Sequence, residues 1–257
     1  MILIVTCLTA FAASALTFFS GFGLGTLLLP AFALFFPIEV AVASTAVVHL
    51  LNGLFKLVLV GRHADYRTVV RFGVPAIAAA FCGAWLLGQL VAIEPITSYS
   101  LFGVRAIILP VKLAVGMLLL LVTILELLPQ YETIALPSRL VPLGGILSGF
   151  VGGLSGMQGA LRSAFLIRLG LSKEAFIGTG VVVATCIDLT RLGVYAKAWT
   201  DQGIRLDAVL LTATVLSAFL GASLGSRFFR KLTLRTLHRV VGVMLLIVAV
   251  AMITGVL

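Results

Sequence analysis

Thr45, His49, Asn52 and Lys56 follow one another at intervals of four, three and four residues in an otherwise apolar run. On a helix that spacing stacks them on one face, giving a polar and cationic stripe. Inside a membrane such side chains are costly and face a cavity or a partner. Two roles are open for His49 and Asn52: lining a polar site, or satisfying hydrogen bonds between helices. Lys56 lies close enough to Arg62 that it has a third option, snorkelling to the cytoplasmic interface. His49 changes charge near neutral pH, so a proton-coupled step would fall on it first, and on Asp188 after it.

A second group lies in the other half of the chain: Gln158, Arg162, Thr179, Thr185, Asp188 and Arg191. Asp188 and Arg191 are three residues apart on one predicted helix. This makes either an internal ion pair or a pair linked to proton or substrate. Arg162 directly follows a glycine-rich stretch, where a guanidinium would grip an oxyanion bidentately beside backbone donors. Its alternative is a topological role, which Arg168 and Lys173 fill more plainly. Glu39 and Glu174 each open a predicted helix and suit its dipole as first-turn carboxylates.

Two glycine clusters complete the candidate chemistry: Gly21, Gly23 and Gly25 with Thr26, and a longer run from Gly149 that includes Gly156, Gln158 and Gly159. A helix broken at such a place exposes N–H groups, and a helix N-terminus adds about half a positive charge, so an anion needs no cationic side chain there. The alternative is close helix packing by small residues, which explains one cluster more easily than two in matching positions. An oxyanion would then sit between the two breaks, with Arg162, Gln158 and Asn52 as side-chain donors. No nucleophile and base are suitably spaced, no phosphate loop follows a strand, and Cys7, Cys82 and Cys186 have no paired spacing. The expectation is a protein that is not an enzyme and that holds no metal or cofactor.

The elements that must position these residues follow from composition. Of 257 residues 61% are hydrophobic and 11% charged, with a mean hydropathy of +1.23. Ordinary soluble domains are about 45 to 50% apolar and about 25% charged. Continuous rather than alternating apolar runs exclude a β-barrel and leave an all-α, polytopic integral membrane protein. The net charge of +9 is what cytoplasmic loops of such a protein carry, so it implies no nucleic acid. Residues 2 to 20 resemble a secretory signal but lack its basic start, and are expected to form the first membrane segment. Ten apolar segments are predicted, roughly 2 to 20, 25 to 36, 39 to 60, 68 to 91, 106 to 128, 140 to 154, 158 to 170, 173 to 196, 207 to 228 and 236 to 256.

Five segments lie on each side of a polar connector, giving a first repeat at 1–128, a connector at 129–139 and a second repeat at 140–257. Ser20-Gly-Phe22 recurs as Ser148-Gly-Phe150, Thr45 matches Thr179, Gly83-Ala84 matches Gly221-Ala222, and Val115-Gly116 matches Val241-Gly242. Four landmarks in one order favour duplication. Basic loops at Arg62 to Arg71 and at Arg227 to Arg235 both belong in the cytoplasm, and the near-neutral loop around Asp201 belongs outside. Equivalent loops then face opposite sides, which makes the repeat inverted. Each half is expected to hold a glycine-broken, re-entrant helix pair followed by three transmembrane helices.

The stretch Ser20-Gly-Phe-Gly-Leu-Gly-Thr-Leu-Leu-Leu-Pro30, then Glu39-Val-Ala-Val-Ala-Ser-Thr45, and the second break at Gly152 to Gly159 resemble the sulfite exporter TauE/SafE family of membrane permeases. The resemblance runs from about Ser14 to the carboxyl end. It departs from the usual triple glycine at Leu24, and at Met157, Gln158 and Arg162, where small apolar residues are commoner. The resemblance implies a secondary transporter of a small sulfur-containing anion, sulfite or an organosulfonate, in the inner membrane. A channel, an assembly factor or a membrane-embedded enzyme are the alternatives from other classes. Substrate, lipid bilayer and possible proton coupling are the expected partners; oligomeric state, direction and coupling ion are not legible.

Overall fold

The computed structural model describes residues 1–16, 24–101, 104–128, 137–167, 169–202, 206–228 and 235–257. Gly21 and Gly23, the residues 129–136 of the connector, and Arg230 lie outside them. Among the described residues there are ten α-helices: α1 (Ile2–Leu16), α2 (Leu24–Ala33), α3 (Ile38–Val60), α4 (Tyr66–Val91), α5 (Pro110–Leu127), α6 (Val141–Ser155), α7 (Gly159–Leu166), α8 (Lys173–Gln202), α9 (Ala208–Phe228) and α10 (Arg235–Ile253). Four of them, α3, α4, α8 and α9, contain stretches long and apolar enough to cross a membrane, and α1, α2 and parts of α5 and α10 are shorter apolar helices. Large apolar side chains such as Phe81, Trp85 and Val58 face outward, as a lipid-facing surface requires.

Helix boundaries follow local chemistry. Glu39 and Glu174 fall in the first turns of α3 and α8, where a carboxylate meets the positive end of the dipole. Asp65 caps α4 by accepting the Thr68 N–H at 2.8 Å. Hydrogen bonds from Thr68 hold the Asp65 carboxyl below the ordinary carboxylate range, and nearby Arg67 adds to this. Pro110 starts α5 in the first-turn position, where its missing N–H leaves no bond unmade.

The structure departs from the predicted segments in two places. Thr97–Leu101 (β1) and Val104–Ile108 (β2) form an antiparallel hairpin, with Thr97 opposite Ile108. The segment expected at 106 to 128 therefore begins as a strand and turns helical only at Pro110. The hairpin is anchored to the end of α10, where Ile107 donates to the Gly255 carbonyl at 2.9 Å and the Tyr99 hydroxyl donates to that of Thr254 at 2.6 Å. The second departure is α8, which runs on as helix through Gln202 rather than ending at residue 196.

Helices pack across the chain's midpoint. α4 lies along α6 and α1 along α9, while α5 pairs with α10 and α3 with α8. Glycines set the first two contacts. Gly145, Gly149 and Gly153 of α6 sit against the carbonyls of Phe72, Ala76 and Ala80 of α4, one helical turn apart each time. Gly221 and Gly225 of α9 sit likewise against Phe11 and Ala15 of α1. In lipid, where apolar burial drives little association, such close backbone approach supplies the van der Waals contact that holds helices together.

A Cβ on Gly149 would overlap Ala76 backbone atoms, whereas Gly88 on α4 has open space around it. Gly149→Leu is expected to cost about 3 kcal/mol or more through overpacking against rigid backbone, and Gly88→Leu about 0.5 kcal/mol or less. Thermal unfolding midpoints of the two purified variants check this. Equal midpoints would show that the α4 and α6 contact does not limit stability.

Candidate functional site

The second glycine break has a defined shape. α6 ends at Gly156, whose φ of +83° lies in the left-handed region where only glycine is unstrained. The Gly156 N–H donates back to the Gly152 carbonyl at 2.8 Å. After Met157 and Gln158 α7 begins, and the Ser148 hydroxyl donates to the Gln158 carbonyl at 3.0 Å, pinning the returning chain to α6. α2 and α7 have ten and eight residues, about 15 Å and 12 Å of helix at 1.5 Å per residue. Both fall well short of a hydrocarbon core of about 30 Å.

A continuous chain of polar side chains runs beside this break. His49 Nδ1 on α3 lies 2.5 Å from Asp188 Oδ2 on α8. The other carboxylate oxygen, Oδ1, accepts the Arg191 Nε–H at 2.9 Å and the Gln158 amide at 3.5 Å. Gln158 Oε1 in turn accepts from Arg162 Nη1 at 3.4 Å. Asp188 and Arg191 are fully buried, and the His49 side chain is 16% exposed. Lys56, two turns along α3 from His49, is buried within the electrostatic reach of Arg162. Asp188 is thus a single carboxylate shared among an imidazole, a guanidinium and an amide.

The Arg191 guanidinium is incompletely satisfied. Its Nη2 lies 2.8 Å from Asp188 Oδ1 as an ion pair, yet neither Nη1 nor Nη2 has a hydrogen-bond partner of sound geometry. The contact at Nη2 is therefore electrostatic, and Nε carries the directed bond. Nη1 lies against Gly156, where any Cβ would overlap it. The Tyr195 hydroxyl, one turn further on α8, lies beside the same guanidinium and donates to the Gly153 carbonyl in a short bond. Buried polar groups are normally bonded, and Nη1 of this fully buried guanidinium is a donor without an acceptor.

Gly25, near the start of α2, meets the second break here. A Cβ on Gly25 would fall 2.6 Å from the Gly156 carbonyl oxygen and 3.6 Å from His49 Cδ2. Gly25 therefore lies between the imidazole edge and the other break, and the absence of a side chain allows the approach. Gly53 does the same for α3 and α8, with Thr185 Oγ1 3.2 Å from where its Cβ would be.

Of the residues singled out from the sequence, Gly25, His49, Gly156, Gln158, Arg162, Asp188 and Arg191 converge, with Lys56 behind Arg162. Asn52 is buried nearby on the His49 helix, and its side-chain oxygen accepts from Ser14 of α1 at 3.1 Å, so its amide nitrogen is the remaining donor group. Thr45 is buried and its hydroxyl has no hydrogen-bond partner. Thr26 and Gly159 are buried in the first turns of α2 and α7. Thr179 is elsewhere: its hydroxyl accepts the Asp65 N–H at 2.9 Å and ties α8 to the start of α4. The stretch around it is tight, with Gly178 against Val60 and Ala64. Sequence reasoning missed Tyr195, although its spacing of seven from Asp188 puts it on the same helix face. Nothing in the spacing of Ser14 or Ser148 pointed to their hydrogen-bonding roles, since both are small residues in small-residue helices.

Comparison with known proteins bears on what such a site serves. The family model described as Sulfite exporter TauE/SafE matches residues 6–252. No curated protein and no solved structure matches the chain.

Removing Asp188 alone leaves the Arg191 charge buried without its counter-charge. Asp188→Ala is expected to cost about 3 to 5 kcal/mol of stability. Adding Arg191→Met should return much of that loss, because the stranded charge goes with it. The check is a double-substitution cycle of thermal unfolding midpoints, and simple addition of the two single losses would mean that the groups are not coupled.

Proposed function

The chain belongs to the sulfite exporter TauE/SafE family, and on that premise we propose that it carries a small sulfur-containing anion, sulfite or an organosulfonate, across the cytoplasmic membrane. Family and apolar helices together make it a multi-pass membrane transporter, of a family of transporters rather than enzymes. The observation that carries the anion reading is the buried Arg191 guanidinium, whose Nη1 has no hydrogen-bond partner and lies against the Gly156 break. A planar guanidinium edge matches two oxygens of an SO3 group bidentately. Arg162 and the Gln158 and Asn52 amides are further donors close by, and Lys56 adds positive charge.

The two halves, 1–128 and 140–257 joined by 129–139, are proposed to be inverted repeats, with α2 and α7 as short helices that re-enter rather than cross. The reciprocal packing of α4 on α6 and of α1 on α9 supports this, because a two-fold relation exchanges those two contacts. The glycines Gly83 and Gly221, matched in the sequence, both take part in it: each abuts a carbonyl, that of Phe150 in α6 and that of Phe11 in α1. Inverted halves with broken helices at their interface place a substrate site near the bilayer midplane, which is where the His49 to Arg191 chain would then lie.

Charge-assisted hydrogen bonds contribute on the order of 1.5 to 3 kcal/mol, so Arg191→Ala and Arg162→Ala should each weaken anion binding roughly tenfold to a hundredfold. Arg162→Lys should restore only part, because an ammonium lacks the planar fork. Affinities for sulfite, sulfate and methanesulfonate in correctly inserted protein measure this, and unchanged values in all variants would place the anion elsewhere. For the repeat, cysteines substituted at Arg67 and Arg230 should label from the cytoplasm and one at Asp201 from outside. Labelling of Asp201 and Arg67 from the same side would overturn the inverted arrangement.

A further inference from the structure

We infer that the His49 and Asp188 pair takes up a proton when Arg191 accepts an anion, so that one site binds proton and anion together. This rests on the anion reading above and adds a coupling rule to it.

The geometry that carries the inference is the linear order of the groups. Asp188 gives one oxygen to His49 and the other to Arg191. Because Nδ1 of His49 faces the carboxylate at 2.5 Å, the second proton of an imidazolium goes to Nε2. That nitrogen is bonded to Cδ2, which lies 3.6 Å from where a Gly25 Cβ would be. His49 keeps 16% of its side chain exposed while Asp188 and Arg191 keep none, so protons reach the chain at the imidazole end. The anion is received at the other end, on the Arg191 Nη1 beside Gly156, which has no hydrogen-bond partner. The two ligands therefore occupy different ends of one buried relay and do not compete for an atom.

Charge balance then couples them. With His49 neutral, Asp188 and Arg191 cancel. A proton on His49 leaves the trio with one excess positive charge, which a dry site disfavours. Arg162, reached through Gln158, and Lys56 behind it on α3 face the same region and oppose that extra charge further. Tyr195 adds only a neutral hydroxyl beside Arg191. A bound anion removes the excess, so each ligand raises the affinity for the other by the same factor. Since binding takes up a proton, affinity is highest at low pH and falls as pH rises. The fall approaches about tenfold per pH unit wherever one proton is taken up per anion.

The test uses purified full-length protein and two probes whose own charges stay constant across that range, sulfate and methanesulfonate. Titration calorimetry in buffers of different ionisation enthalpy counts protons taken up with the anion. Supporting results are proton uptake approaching one per anion in the wild type and an affinity that weakens with rising pH. In the His49→Gln variant, loss of the pH dependence of the binding that remains is further support. Binding by the wild type with no proton uptake and a flat pH profile would overturn the coupling while leaving the anion reading intact. Failure of sulfite, sulfate and methanesulfonate alike to bind at any pH would overturn the anion reading and this inference with it. The wild-type proton count needs no variant, so a misfolded His49→Gln protein does not blunt the experiment.

Discussion

A fully buried carboxylate between a histidine and an arginine is the interaction on which the rest of this structure depends. Asp188 and Arg191 share one face of α8, and moving either from water into a low-dielectric interior costs several kcal/mol before any attraction is counted. The cost is tolerable only if neighbouring elements supply directed partners. His49 from α3, Gln158 from the second break and Tyr195 from α8 itself surround the pair. Holding them there requires α3 and α8 to lie close, which Gly53 permits. It also requires α6 to stop where Gly156 can turn without a side chain over the guanidinium.

The same constraint explains the breaks. An uninterrupted helix through residues 141 to 166 would bond most of its N–H groups internally and present no polar ends beside the pair. Stopping at Gly156 and restarting at Gly159 leaves backbone polar groups beside the pair, and the Ser148 bond to Gln158 holds the turn in place. Non-helical backbone at membrane depth is tolerated where protein or a polar cavity covers it. Here Gly25 of the opposite half provides part of that cover. The glycines on α6 and α9 have a different task. They bring helix backbones into contact in a solvent where apolar burial does little, and so fix the frame in which the breaks meet.

Much of this was legible beforehand. Apolar runs and their glycine and proline punctuation located all ten helices, because a membrane helix needs a long uncharged stretch and polar punctuation ends it. The stripe of His49, Asn52 and Lys56 and the pair of Asp188 and Arg191 were visible as intervals of three and four. The hairpin at 97 to 108 was not visible, since Val104 to Ile108 is as apolar as the helix that follows and only Pro110 separates them. The hydrogen bond of Thr179 was not visible either. Its match to Thr45 is a matter of sequence position, whereas its partner is the Asp65 N–H at the start of α4.

The sequence by itself determined the class of molecule, the helices and the helix faces on which ionisable groups lie, because periodicity and hydropathy act over a few residues along one chain. It also showed that Asp188 and Arg191 would pair, since three residues on a helix bring them together wherever that helix sits. Only the tertiary structure decided that the imidazole of His49 shares their carboxylate, 139 residues away in the chain, and that Gly25 meets Gly156. Those contacts depend on how α3 and α8 cross and on which backbones can touch, and helix crossing is set by packing among all the helices rather than by any local interval.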